Sequence, residues 1–203
     1  MAHSVDIPPC PAPPPDYRST AHTRAGLALL ALACVLRAIE YLHDKAIWLD
    51  EAHLALNILR REYAGLTERL DYGQGAPLAF LWAERFAANV FGPSEWSLRL
   101  LPLAASLAAC ALVYVFLRRM LPTRGFLVAL AIFALAVPVI RYASEVKAYA
   151  TDLAVALALY LLLFGAARKP LTTARAALLA IAGAASVWFA FPAVFILAGM
   201  GAV

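Results

Sequence analysis

Five apolar runs separated by short charged loops set the plan of this chain. The first occupies residues 25–36 and is closed by Arg37 and Glu40. The next three run from about Trp96 to Leu117, Phe126 to Ile140 and Tyr149 to Ala166. A fifth starts near Ala176 and is interrupted at Trp188-Phe189-Ala190-Phe191-Pro192 before a further apolar stretch. Runs of this length read as membrane-spanning helices, which need about 20 mostly apolar residues. Between the first two runs, residues 43–95 form a long polar loop with two helical pieces. In the first, Leu49, Ala52, Leu56, Leu59 and Tyr63 are spaced 3, 4, 3 and 4 apart and form one apolar stripe. Asp50 and Asn57, with His53 and Arg61 beside them, share its polar side. Such a helix lies along a membrane surface and turns Asp50 away from lipid. A turn from Asp71 to Pro77 leads to the second, about Leu78 to Phe91, with Pro77 at its start and Gly92-Pro93 as its stop. The pattern therefore predicts an all-α polytopic membrane protein of five to six transmembrane helices, with two interfacial helices in the first loop.

Composition agrees. Of the 203 residues 64% are hydrophobic, against about 45–50% in soluble domains. The net charge of +4 does not indicate nucleic acid, because the cations sit in short loops. Arg118, Arg119, Arg124, Arg168, Lys169 and Arg175 mark cytoplasmic connections. Segments 43–95 and 141–149 then lie outside a plasma (inner) membrane that the chain crosses several times. Residues 1–23, rich in proline up to Pro15, read as a disordered cytoplasmic tail before a single transmembrane domain over 24–203. The final apolar stretch runs to Val203 with no polar ending, as in the N-terminal part of a longer protein. Cys10, Cys34 and Cys110 suggest no disulfide framework, no spacing suggests a metal site, and no cofactor is expected.

The two outer segments carry the candidate chemistry. One brings the adjacent carboxylates Asp50 and Glu51; the other brings Arg141, Glu145 and Lys147 in one dense turn, with Asp152 just inside the fourth span. Arg141 and Lys147 are basic residues on the side where the charge rule disfavours them, which marks the turn as functional. If its helix begins early, Glu145, Tyr149 and Asp152 share a face. A carboxylate beside cations at a lipid boundary suits one reaction well: a base takes an acceptor's hydroxyl proton while cations stabilise a departing phosphate. Asp50 suits the base better than Glu51, which projects about 100° further round the helix. The bland alternative is that these charges pair among themselves and only stabilise the fold.

The order span, "WLDEAHLALN", "GPSEWSLRLLP", two spans and "RYASEVKAYATD" resembles the membrane-embedded C-type glycosyltransferases related to protein O-mannosyltransferases and aminoarabinose transferases. The likeness covers roughly residues 25–200. It implies inverting transfer of a sugar from a polyprenyl-phosphate donor to a lipid, glycan or protein acceptor at the outer face. It also implies that Asp50 is the base and Glu51 its supporting neighbour, with Glu145, Lys147 and less strongly Arg141 holding carrier phosphate or acceptor. His53, Asn57, Tyr149 and Asp152 complete the expected substrate site. Where aminoarabinose transferases carry a lysine before the proline of the second loop helix, this chain has Ala76 before Pro77. The other functional classes open to the sequence are a transporter or flippase-like protein, with Asp50, Arg141 and Asp152 lining a polar path, and a non-catalytic scaffold.

Overall fold

The computed structural model describes residues 20–167, 170 and 172–201, and among them every regular element is a helix. They are α1 (Thr20–Leu42), α2 (Leu49–Arg60), α3 (Leu78–Phe91), α4 (Glu95–Met120), α5 (Thr123–Leu135), α6 (Val137–Arg141), α7 (Tyr149–Ala167), α8 (Thr173–Phe189) and α9 (Ala193–Gly201). Single 3₁₀ turns interrupt the loops at 65–67, 71–73 and 142–144. The tail expected over 1–23 falls mostly outside the described residues. Its last four residues, Thr20 to Thr23, are helical and form the first turn of α1. Nothing in that stretch breaks a helix, since the last proline before it is Pro15.

α1, α4 and α7 are long and apolar enough to cross a membrane, and α5 with α6 makes a fourth, bent by 56°. α8 is apolar but has only 17 residues. Among the described residues, length and composition thus give three or four candidate crossings where the pattern suggested five or six. The all-α membrane architecture stands, and the break before α9 at Ala190 falls where the sequence interrupts its apolar run.

The bend in the third run was not foreseen. Pro138 lacks an N–H, and its ring crowds the backbone before it, so the helix stops at Ala136 (φ −66°, ψ 101°) and restarts. Carbonyls at the end of α5 lose their helical partners there. Arg37, expected near the surface, instead lies fully buried beneath this bend. It donates to the Phe133 carbonyl (3.5 Å), the Ala33 carbonyl (2.9 Å) and Ser106 Oγ (3.0 Å), with its guanidinium 4.6 Å from the Phe133 ring centroid. One buried cation thereby joins α1, α4 and α5. Close approach helps: a Cβ on Gly26 of α1 would stand 2.9 Å from the Phe126 ring of α5.

The loop between α1 and α4 folds as a compact arm. Leu54, Ala55, Ile58, Leu66, Leu70, Phe80, Leu81 and Ala88 form its core, completed by Leu98 of α4 and Val146. Each fully buried side chain of the larger kinds contributes about 1.5–3 kcal/mol. α3 stops at Gly92, whose φ of +88° a residue with a side chain rarely adopts. Ser94 and Ser97 then cap α4 reciprocally, Glu95 sits at its positive end, and Arg118 and Arg119 at its negative end. The stripe read on α2 is not its core face. Leu49 is 71% exposed, while Glu51, Leu54, Ala55 and Ile58 point inward. α2 is apolar on two sides, and periodicity could not say which one meets protein.

The inward face of α3 carries a surprise in Glu84, fully buried with neither carboxylate oxygen hydrogen-bonded. Burial pushes its carboxyl well above the ordinary 4.5, because a dry site disfavours the charged form. A raised native pKa contributes stability that is greatest below the unfolded value and is lost as pH rises through the native one. Glu84→Gln should therefore flatten the decline of thermal stability on going from acid to alkaline pH. Melting curves of both proteins across that range check this, and parallel declines would show that Glu84 carries no such linkage.

Candidate active site

The polar side of α2 is covered by the turn at 71–74. Asn57, 2% exposed, accepts from the Asp71 N–H (2.9 Å) and donates to the Asp71 carbonyl (3.3 Å) and the His53 carbonyl (2.8 Å). Arg61 adds an ion pair to Asp71 at 2.9 Å. Held at its first residue, the turn passes through Tyr72 and Gly73, both in the left-handed region (φ 59° and 66°). It stacks the Tyr72 ring on His53, 4.4 Å between centroids. It then presents Gln74 to Asp50.

There three side chains close a ring. Gln74 Nε2 donates to Asp50 Oδ1 at 2.8 Å, Lys147 Nζ donates to Gln74 Oε1 at 2.7 Å, and Lys147 Nζ pairs with Asp50 Oδ2 at 2.7 Å. Donation by Lys147 and then by Gln74 holds the Asp50 carboxyl below its usual range. Asp50 keeps 39% of its side chain exposed, so it can meet a substrate, whereas Lys147 is nearly buried.

Lys147 arrives on a sharp turn rather than a helix. Its N–H donates to the Glu145 carbonyl at 2.7 Å, Val146 is drawn into the arm's core, and α7 starts only at Tyr149. Glu145 is therefore extended and does not share a helix face with Tyr149 and Asp152, as an earlier helix start would have required. The turn sends Lys147 to Asp50 and Glu145 to Lys45, 3.7 Å away. Lys45 also meets Glu40 at 3.2 Å. With the exposed Arg141 and Trp48, these residues line an open cavity of about 500 Å³.

The expected site residues therefore separate into groups. Asp50 and Lys147 touch, and His53 stands beside them. Tyr149 is 44% exposed, within electrostatic reach of both Asp50 and Glu145, and its ring packs against Tyr142 at 4.8 Å. Arg141 and Glu145 belong to the adjoining cavity. Asp152 reaches the Phe191 backbone N–H at the break between α8 and α9. Asn57 spends its amide holding the 71–74 turn. Glu51 is fully buried, where the Arg99 guanidinium (3.8 Å) and the Trp48 indole face it. Burial raises its carboxyl above the ordinary value despite Arg99.

Two residues of this centre, Gln74 and Arg99, escaped the sequence reading. Arg99, 1% exposed, donates to the Lys45 carbonyl at 2.7 Å and faces Asp44 and Glu95, each at 3.5 Å. Its only signal was an arginine inside the apolar "SLRLLP". Gln74 looked like an ordinary turn residue. Among the described residues no group of three His, Cys, Asp or Glu side chains is placed to hold a metal ion.

No curated protein and no solved structure matches the chain. A family described as dolichyl-phosphate-mannose-protein mannosyltransferase matches it over residues 75–202. That match takes in Pro77, Arg99, Lys147 and Asp152 and starts just after Gln74. With most of the chain matched, and with apolar helices long enough to cross a membrane, the protein belongs to the dolichyl-phosphate-mannose-protein mannosyltransferase family.

Proposed function

We propose that the protein transfers a sugar from a polyprenyl-phosphate carrier to a hydroxyl acceptor at the outer membrane face, with inversion, using Asp50 as base. The family carries the coarser statement: a mannosyltransferase-like glycosyltransferase drawing on polyprenyl-phosphate sugar donors. The observation supporting the finer one is the 2.7 Å contact between an accessible carboxylate, Asp50, and a cation, Lys147, on different segments of the chain. In the proposed step the acceptor oxygen attacks the anomeric carbon and its proton passes to Asp50. The bond from that carbon to the phosphate oxygen breaks on the opposite face, and the electron pair leaves with the carrier phosphate. Lys147 turns to that phosphate and balances its growing charge. A single displacement of this kind inverts the anomeric centre. Arg141 and Glu145, in the adjoining cavity, are placed to meet the acceptor. Transport would instead put the charges near mid-membrane on broken helices, whereas Asp50 and Gln74 belong to the arm at one end of the bundle.

The outer placement is open to direct measurement. Cysteines introduced singly at the exposed Asp71 and Arg141 of a cysteine-free protein should react with an impermeant thiol reagent added outside intact cells. A cysteine at Arg175 should react only after the membrane is opened. The reverse pattern would put the site on the cytoplasmic side and remove this part of the reading.

A further inference from the structure

Gln74 belongs to no element of the sequence motif, yet the arm is shaped to deliver it. Its amide is engaged at both ends, Nε2 on Asp50 and Oε1 under Lys147, and only this orientation satisfies both, because a carboxylate cannot donate and an ammonium cannot accept. The preceding backbone holds a non-glycine residue, Tyr72, at φ 59°, a left-handed conformation that persists where surroundings enforce it. Asn57 and Arg61 enforce it by pinning Asp71. Strain, clamp and hydrogen bonds all converge on one side chain.

We propose that Gln74 is the positioning residue of this site, fixing Asp50 by Oδ1 so that Oδ2, now under Lys147, is the oxygen that accepts the acceptor's proton. This rests on the reading of Asp50 as base. The same amide gives Lys147 a second anchor, so the lysine can leave Oδ2 for the carrier phosphate without drawing the carboxylate after it. The resting ring is then a closed form of the site, opened by the donor's arrival.

The consequence is a pH signature that loose packing would not produce. Asp50 must be ionised to act, and Gln74 helps keep it so at lower pH. The charged or titratable groups facing Asp50 are Lys147 from the turn, His53 from α2 and Tyr149 from α7. The profile of each Gln74 variant is therefore read against the wild-type profile, in which Lys147, His53 and Tyr149 are the same. The assay follows radiolabelled mannose from dolichyl-phosphate mannose in membranes, with protein level and size-exclusion behaviour checked. Gln74→Leu should move the acid limb of kcat/KM up by roughly 1 pH unit, the loss of one hydrogen bond to a partly exposed carboxylate. Gln74→Glu, which sets a second carboxylate against Asp50, should move it further. An unmoved limb in both variants, with Asp50→Asn inactive, overturns the role of Gln74 alone. Activity retained in Asp50→Asn overturns the base and Gln74 together. A readout independent of turnover is acetylation of Lys147 by acetic anhydride, which should be several-fold faster in Gln74→Leu; equal rates would also overturn the assignment.

Discussion

Replacing Asp50 by asparagine is expected to lower sugar transfer by about 10²–10⁴-fold, the usual worth of a positioned base. Asparagine keeps the shape and can still accept a hydrogen bond from Gln74, but it cannot take the acceptor's proton. The fold should survive, because Asp50 is partly exposed and is not a member of the arm's apolar core. Lys147→Ala should fail differently. It removes the cation proposed to meet the carrier phosphate, so the KM for the lipid-linked donor should rise along with the fall in kcat. It also frees Asp50 of its strongest partner and should shift the acid limb upward. The measurement is initial-rate transfer from dolichyl-phosphate mannose over a range of donor concentrations. Wild-type rates from Asp50→Asn would return the Asp50–Lys147 contact to a structural ion pair.

The largest loss of stability is expected at Arg99→Met. Removing one member of a buried ion pair typically costs about 3–5 kcal/mol, because the other charge is stranded. Here the stranded groups are Glu51, with no exposed surface, and the Lys45 carbonyl that Arg99 caps at 2.7 Å. Glu51 can relieve part of the cost by protonating, since burial already raises its pKa. The deficit should therefore shrink as pH falls. Combining Arg99→Met with Glu51→Gln should recover much of the loss, leaving mainly the unpaired carbonyl. Thermal midpoints of the two single variants and the double variant decide it. Additive losses would show that Glu51 and Arg99 do not act as a pair.

Much of this architecture was legible from apolar periodicity. Spans cannot hide from hydropathy, and Pro77, Gly92 and Ser94 announce where the helices around them start and stop. Lys147 could be singled out because it is basic on the side where the charge rule disfavours it, and Asp50 because it sits on the polar side of an amphipathic helix directly after the first span. What periodicity could not supply was contact. α2 carries apolar side chains on two faces, and only packing against Phe80, Leu81 and Val146 decides that Leu54 and Ile58 go inward. Arg37 looked like a boundary residue because its partners are two backbone carbonyls and one serine hydroxyl, and one of those carbonyls is freed by a bend 96 residues away. Gln74 carries no charge and no hydrophobic phase. Its role comes wholly from two partners that the fold brings to it.

The composition of the arm also has a consequence for the order of events during synthesis. Lys147 lies 73 residues beyond Gln74, so at ~5–20 residues per second its codon is read roughly 4–15 s later. Among the described residues of that late segment, Val146 is the buried member of the arm's apolar core, and the partly buried Ala148 packs against that core; the other buried members come from residues 54–98. The ribosome has thus delivered nearly everything needed to shape the receptacle, with Asp50 and Gln74 facing each other, before the cation that fills it exists. The lysine that joins Asp50 and Gln74 is therefore the last of the three to be made.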